Sequence, residues 1–173
     1  MTAPATTTAI DPALRKILAD DPGALIERVA KDHDRTVTAV VAALPEAMRK
    51  FAAGEHFVTV MGDVAQWGEV TVIVHTEDGI MEFTGPVPEG QIARGYYNLM
   101  SRTGFHGHLR YERCAAIAFV ERPFMNRDSA SILFLNKEGG CMLKVFVGRD
   151  ENGALKADQL ARFRDLAARI GAA

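Results

Sequence analysis

Histidines are the residues of this sequence whose type and spacing suggest chemistry. His75, His106 and His108 lie in segments of alternating or β-branched apolar residues, which predicts that their imidazoles project from strands. A neutral imidazole nitrogen is a common metal ligand. The sequence has no phosphate-binding glycine loop, no Gly-x-Ser-x-Gly elbow, no Cys-x-x-Cys and no His-Glu-x-x-His motif. These patterns disfavour a hydrolase or a nucleotide-dependent enzyme, and no catalytic residue is predicted.

His75 is predicted to share one face of a strand with Ile73. An imidazole at the rim of an apolar surface suits the iron of a flat organic ring, because such a ring needs a nitrogen ligand and an apolar wall. The pair Asp78-Gly79 predicts a two-residue type I′ hairpin that places Glu82 opposite His75. Glu82 would then accept a hydrogen bond from the second ring nitrogen of His75. The alternative is a surface His and Glu pair on a half-exposed strand.

His106 and His108 are separated by one residue, so a strand over residues 105–111 would direct both imidazoles to the same side. A His-x-His pair can bind zinc, but it supplies only two of the usual four ligands. Gly104 and Gly107 would let a flat molecule approach the backbone closely. The alternative is the polar outward face of a half-buried strand.

The elements that must position these histidines are strands and tight turns over residues 67–148. Because no helical pattern joins consecutive strands, we expect them to pair antiparallel in a meandering sheet. The predicted strands cover residues 69–75, 80–84, 105–111, 115–120, 131–135 and 141–147. Cys114 and Cys141 lie inside apolar segments, which favours reduced thiols over a disulfide.

Short helices are predicted before the sheet. Asp11 and Asp21 are suitable N-caps, with a proline after each at the first helical position. The layout resembles a helix-turn-helix unit. However, residues 36–44, where a recognition helix would lie, contain no Lys or Arg to contact bases or phosphates. A helical cap on the sheet is therefore favoured over a DNA-binding regulator.

Together the patterns predict an α+β fold: a large antiparallel β-sheet with flanking helices, an N-terminal helical cap and a C-terminal helix. The chain of 173 residues is long enough for one well-buried core. We expect a flexible N-terminus at 1–10 and a single domain at 11–173, in which 11–50 is the cap, 56–148 the sheet and 155–171 the C-terminal helix.

Charge and hydropathy exclude some classes of partner. The 20 Lys and Arg residues against 22 Asp and Glu give a net charge of −2, which weighs against binding to nucleic acid or an anionic membrane. Residues 1–10 lack a basic stretch followed by an apolar one, and no apolar run approaches the ~18 residues of a membrane span. We expect a soluble, cytoplasmic protein without membrane insertion.

Several segments resemble one known family: WGEVT at 67–71, VHT at 74–76, EFTG at 82–85, GYYNL at 95–99, GFHGH at 104–108, ERPFM at 121–125, SASILF at 129–134, NKEG at 136–139 and KVFVGRD at 144–150. They resemble the cytosolic haem-utilisation carriers of the ChuX/HutX family, and the similarity covers most of the chain. The resemblance implies a homodimeric intracellular carrier that binds haem b and passes it to a downstream haem-accepting protein, for storage or iron release. The alternative is a haem-degrading enzyme of the iron-acquisition pathway.

The resemblance also implies site residues. The two histidines implicated in holding haem correspond to His75 and His108. His106 stands where relatives carry a small residue, so it is an extra imidazole. Arg94 replaces a histidine of some relatives and could pair with a haem propionate, the alternative being a solvated loop arginine. Asn126 replaces a frequent glycine, and asparagine tolerates left-handed backbone, so we expect the turn to survive.

The number of histidines on the iron separates the two haem functions. Two histidines on one iron would fill both axial positions and oppose oxygen activation, whereas a single ligand would permit it. The sequence leaves open whether His75 and His108 meet the same haem.

Overall fold

A computed structural model describes residues 10–102 and 104–171 of the chain. The expected flexible N-terminus at 1–10 lies outside the described residues, apart from residue 10. The helices are α1 (Pro12–Asp20), α2 (Ile26–Asp32), α3 (Val37–Ala43), α4 (Phe57–Val64) and α5 (Ala157–Ile170). The strands are β1 (Arg49–Ala53), β2 (Glu69–His75), β3 (Ile80–Pro86), β4 (Gly90–Ala93), β5 (Tyr96–Leu99), β6 (Gly107–Leu109), β7 (Cys114–Phe124), β8 (Arg127–Asn136) and β9 (Cys141–Phe146).

The strands form two antiparallel sheets. The larger has six strands in the order β1-β7-β8-β9-β2-β3, and the smaller has three in the order β4-β5-β6. The predicted α+β fold with a large antiparallel sheet is therefore confirmed. The single meander is wrong, because β2 pairs with β9 and β1 pairs with β7, both far away along the chain. Strands that follow each other in the sequence need not be neighbours in the sheet. A strand from a distant part of the chain can take that place when pairing with it buries more apolar surface.

Both faces of the six-stranded sheet are covered. Ile132 and Phe134 of β8 pack with α4, α5 and the three-stranded sheet, on what we call the core face. Leu133 and Leu135 alternate with them and pack against α1, α2 and α3, on the cap face. Coverage on both sides explains why four consecutive residues of β8, 132–135, are apolar. It also confirms that the N-terminal helices cap the sheet.

The helical cap begins as predicted but continues differently. Asp11 caps α1, since its carboxylate accepts a hydrogen bond from the backbone N–H of Ala13 at 2.9 Å. Asp21 does not start the next helix, because its carboxylate accepts from the N–H of Gly23 at 3.0 Å, and α2 begins only at Ile26. The Asp21-Pro22 prediction is wrong because an Asx turn competes with helix initiation at that position.

The boundaries expected for the cap and the sheet also change. β1 starts inside the region assigned to the cap, and α4 lies inside the region 56–148 assigned to the sheet. The apolar residues of α4 have helical spacing, and its buried residues are Phe57, Val60, Met61 and Val64. The predicted strand at 105–111 shortens to β6, because a 3-10 turn follows at Tyr111–Arg113. The C-terminal helix is present as α5.

Two further observations concern the described residues. None of their helices combines the length and the apolar character needed to cross a membrane. Cys114 and Cys141 are both free thiols, as predicted.

Candidate functional site

His75 is the last residue of β2, and its side chain lies on the cap face. Val70, Val72 and Val74 alternate with it and pack into the core on the opposite face. The side chain of His75 is 18% exposed, so it is accessible without being free in solvent.

Glu82 does not lie opposite His75. The partner of His75 across the β2–β3 hairpin is Ile80, and Glu82 pairs instead with Ile73. The predicted register is therefore wrong by two residues. Glu82 remains on the same face as His75, but it is exposed and diagonal to the imidazole.

The turn between β2 and β3 explains this shift. The N–H of Thr76 donates to the carbonyl of Gly79 at 2.9 Å, and the hydroxyl of Thr76 accepts from the N–H of Asp78 at 3.3 Å. Neither Asp78 nor Gly79 has a positive φ, so this is not the predicted type I′ turn. The threonine hydroxyl stabilises a longer turn over residues 76–79.

A different carboxylate lies beside His75. Oε2 of Glu27 in α2 is 3.6 Å from Nδ1 of His75, and Oε1 contacts the ammonium of Lys144 in β9. Both oxygens are shielded from solvent and accept no hydrogen bond of good geometry. Burial lowers the pKa of the nearby Arg122 guanidinium, and the negative charge of Glu27 opposes that shift. His75 therefore belongs to a half-buried charged cluster between the cap and the sheet.

Sequence reasoning missed Glu27 because it lies in α2, far from β2 along the chain. One signal was present: Lys144 interrupts the apolar strand β9, and it is only 8% exposed. A buried lysine needs an anionic partner. That signal indicates that a carboxylate is required, but it does not indicate which one.

An open cavity of about 590 Å³ lies along the cap face next to His75. Its lining includes Thr71, Ile73, Thr84, Phe124 and Phe146. Thr71 pairs with both Thr84 and Phe146 across neighbouring strands, so these side chains share one face. Its volume is within the usual range of ~300–1,000 Å³ for small-molecule sites. His75 follows Ile73 on the same face, just beyond this lining.

His108 lies in β6, on the outward face of the three-stranded sheet. Its cross-strand partner is Asn98, whose Oδ1 is 2.6 Å from Nδ1 of His108. The neighbours of Asn98 in β5, Tyr97 and Leu99, point the other way into the core. The edge of the His108 ring contacts the ring of Tyr96, with centroids 6.1 Å apart. The imidazole is exposed and held by its neighbours.

The other residues singled out in the sequence are His106, Arg94 and Asn126. His106 precedes β6, and its Nδ1–H donates to the carbonyl of Gly104 at 2.9 Å, so the predicted His-x-His strand pair is wrong. Arg94 is exposed in the turn between β4 and β5, with φ 54°. Asn126 has φ 60°, which confirms the left-handed turn expected there. No cluster of three or more potential metal ligands occurs within residues 10–102 and 104–171.

The structure does not bring His75 and His108 of one chain together. His75 points to the cap face of the six-stranded sheet. The three-stranded sheet packs on the core face, and His108 points away from that core. The two imidazoles of one chain therefore face different sides of the molecule.

Comparisons with known proteins identify relatives of this chain. Residues 50–166 match the family described as haem utilisation ChuX/HutX. The chain is 37% identical over 160 residues to a Vibrio cholerae protein named intracellular heme transport protein HutX, covering 92% of this chain and 83% of that one.

Solved structures show the same relationship. A structure of a protein from Erwinia carotovora has a TM-score of 0.87 and 42% identity, covering 91% of this chain and 98% of that one. A structure of the heme-binding protein ChuX has a TM-score of 0.82 and 44% identity, covering 90% of this chain and 97% of that one. The chain belongs to the haem utilisation ChuX/HutX family.

Proposed function

We propose that the protein is an intracellular carrier that binds haem b as its cargo and hands it to a downstream acceptor. The observation that carries the proposal is the 18% exposed imidazole of His75 just beyond an open cavity of about 590 Å³ whose walls include Ile73, Phe124 and Phe146. Family membership and the names of two relatives, a heme transport protein and a heme-binding protein, support it.

The chemistry required of a carrier is modest. His75 supplies a nitrogen ligand to the iron, and the side chains of Ile73, Phe124 and Phe146 supply an apolar wall. Glu27 takes the place first assigned to Glu82: its Oε2 lies 3.6 Å from Nδ1 of His75, beyond a direct hydrogen bond, and its negative charge favours a proton on Nδ1 and a more basic ligand nitrogen. An open cavity lets the cargo leave again, which a transfer protein requires.

His108 is the second proposed iron ligand. Because it faces another side of the molecule from His75, we propose that the two bind iron in separate places or meet only across two chains. A homodimer is part of the proposal. It is supported by the exposed apolar residues Ile80 and Met81 on the edge strand β3, which are 54% and 62% exposed.

Haem titration followed by absorbance tests the proposal. We expect His75→Ala to weaken haem binding more than His106→Ala, since His75 has the cavity and the carboxylate. His33→Ala is a matched control, because His33 is exposed at the end of α2 and away from the cavity. Equal, small losses for all three variants would contradict the site.

Transfer and degradation are tested separately. Loaded protein mixed with apomyoglobin should lose its haem to that acceptor, as expected for a carrier. Loaded protein given a reductant and oxygen should keep the porphyrin absorbance. Loss of that absorbance with appearance of a linear tetrapyrrole would favour the haem-degrading alternative. Sedimentation of the free protein tests the dimer.

A further inference from the structure

We propose that Asn98 is the positioning residue of His108: its amide holds the imidazole as the Nδ1–H tautomer and so presents Nε2 to the haem iron. This inference rests on the proposed haem-binding function. It assigns a role to a residue of the three-stranded sheet that the haem site defined by His75 does not use.

The orientation of the Asn98 amide is set by the backbone around it. Its Nδ2 lies 3.0 Å from the carbonyl oxygen of Gln91, 3.1 Å from that of Ala93 and 3.1 Å from that of Tyr96. Carbonyl oxygens only accept hydrogen bonds, so the NH₂ group must face them. The flipped amide would place its oxygen against three other oxygens. Oδ1 of Asn98 is therefore the atom that faces His108.

This orientation decides where the His108 proton is. Oδ1 is 2.6 Å from Nδ1 of His108, within the distance of a strong hydrogen bond. An amide oxygen carries no proton, so Nδ1–H must donate. In a neutral imidazole the lone pair is then on Nε2. Because the side chain of His108 is exposed, Nε2 is accessible to a ligand.

The sheet builds this arrangement from three strands. Asn98 and His108 are cross-strand partners in β5 and β6. The turn at Arg94 and Gly95, with φ 54° and 79°, folds β4 against β5 and brings the carbonyl of Ala93 to the amide. The amide thus joins all three strands, and its remaining oxygen orients the imidazole.

The neutral amide distinguishes His108 from His75. A carboxylate partner raises the basicity of a metal-bound imidazole, whereas an amide orients the ring without adding charge. His108 therefore acts as the weaker of the two ligands, from which haem is released more easily.

Nitrogen NMR of the free protein with labelled histidine tests the tautomer without any haem. We expect His108 in the Nδ1–H form, and a mixture of tautomers in Asn98→Ala. An Nε2–H form in the parent protein would overturn the inference even if haem binds. The tautomer result stands by itself if the parent protein fails to bind haem, which would refute the proposed function instead.

A double-mutant cycle then separates positioning from a merely structural role. Asn98→Ala should weaken haem binding at the His108 site by about 10-fold or more, the usual effect of losing a partner of a ligating histidine. The site is isolated by measuring in a His75→Ala background. In a background that also carries His108→Ala, Asn98→Ala should have no further effect. Equal losses in both backgrounds would show that Asn98 only supports the sheet.

Discussion

At the scale of single residues, Glu27 links the cap to the candidate site. One of its oxygens faces His75 and the other contacts Lys144, and both are shielded from water. One carboxylate therefore has two neighbours: it balances a buried lysine, and in the proposed site it would also act on the imidazole of His75. An experiment on Glu27 must separate these two effects.

We expect Glu27→Gln combined with Lys144→Met to weaken haem binding by ~10- to 100-fold, because the imidazole of His75 loses its orienting carboxylate. Removing Lys144 at the same time avoids leaving an unpaired buried ammonium. Haem titration measures the effect. Glu82→Gln is the control, since Glu82 is exposed and pairs with Ile73, and it should bind haem like the parent protein.

The stability of the single variant checks the same contact. Glu27→Gln alone leaves Lys144 buried without a counter-charge, a change that typically costs ~3–5 kcal/mol. Adding Lys144→Met should recover most of that loss in a urea unfolding experiment. If the single variant is as stable as the parent, the contact between Glu27 and Lys144 contributes nothing to folding.

The two cysteines give a pH prediction. Burial raises the pKa of the Cys114 thiol from 9.0 to about 11, and that of Cys141 from 9.0 to about 12. The thiolate is the reactive form, so both should resist alkylation at pH ~8 in the folded protein and react rapidly in urea. Mass spectrometry measures the extent of reaction. Rapid labelling of Cys114 in the folded protein would contradict its burial.

The same pKa shifts predict how the stability of the protein changes with pH. Unfolded thiols lose their protons near pH 9, while the folded ones keep them, so the unfolded state binds fewer protons above that pH. The free energy of unfolding should therefore fall as pH rises from 9 toward 11. A variant with both cysteines changed to alanine should show a shallower fall.

At the scale of elements, the β2–β3 turn shows what local sequence can and cannot predict. Alternation placed His75 and Ile73 on one face correctly, because the period of a strand is a local property. The register was wrong because the hydroxyl of Thr76 stabilises a longer turn than Asp78-Gly79 indicates. A change of turn length shifts every cross-strand pair, so the predicted partner of His75 changed with it.

Glycine substitutions test this turn. Gly79 has no positive φ, and an added Cβ meets nothing within 4 Å, so Gly79→Ala should be neutral or stabilise the protein by ~0.4–1 kcal/mol. Gly139→Ala is the matched opposite, since Gly139 has φ 84° and its added Cβ would lie 2.6 Å from Cβ of Thr36. Chemical unfolding measures both. A clear loss of stability for Gly79→Ala would support the type I′ turn after all.

Contacts between segments that are far apart in the sequence could not be predicted from local patterns. Helical periodicity predicted α1 and α5, and composition predicted β7, β8 and β9. No local pattern shows that α2 brings Glu27 to β2, or that β4 to β6 form a sheet of their own. The Asn98 amide is a similar case, because the carbonyl groups that accept its hydrogen bonds come from both β4 and β5.

At the scale of the whole molecule, the placement of His75 and His108 on different faces limits how many histidine ligands one chain can give to one iron. The imidazole of His75 lies on the cap face of the large sheet, and that of His108 lies on the outward face of the small sheet. We therefore expect iron bound to an isolated chain to have a single histidine ligand. Absorbance and electron paramagnetic resonance spectra at decreasing protein concentration measure the ligation.

A second chain changes this expectation. If two chains bring His75 of one to His108 of the other, the bis-histidine spectrum should appear only at concentrations at which the protein associates. A variant of the exposed edge, Met81→Lys, serves as the comparison, because it should weaken association without touching either histidine. A bis-histidine spectrum that persists in the monomer would show that the two histidines of one chain do meet.

The coverage of both faces of β8 has a practical consequence for measuring ligand binding. Over residues 131–135 its backbone pairs with β7 on one side and β9 on the other, and the side chains there are buried. Protons on such amides exchange with deuterium only when the whole molecule opens. A ligand that binds only the folded chain slows that opening by the factor by which it stabilises the fold. Deuterium uptake in β8 therefore measures ligand binding without using the absorbance of the ligand. It would detect an iron-free porphyrin as readily as haem.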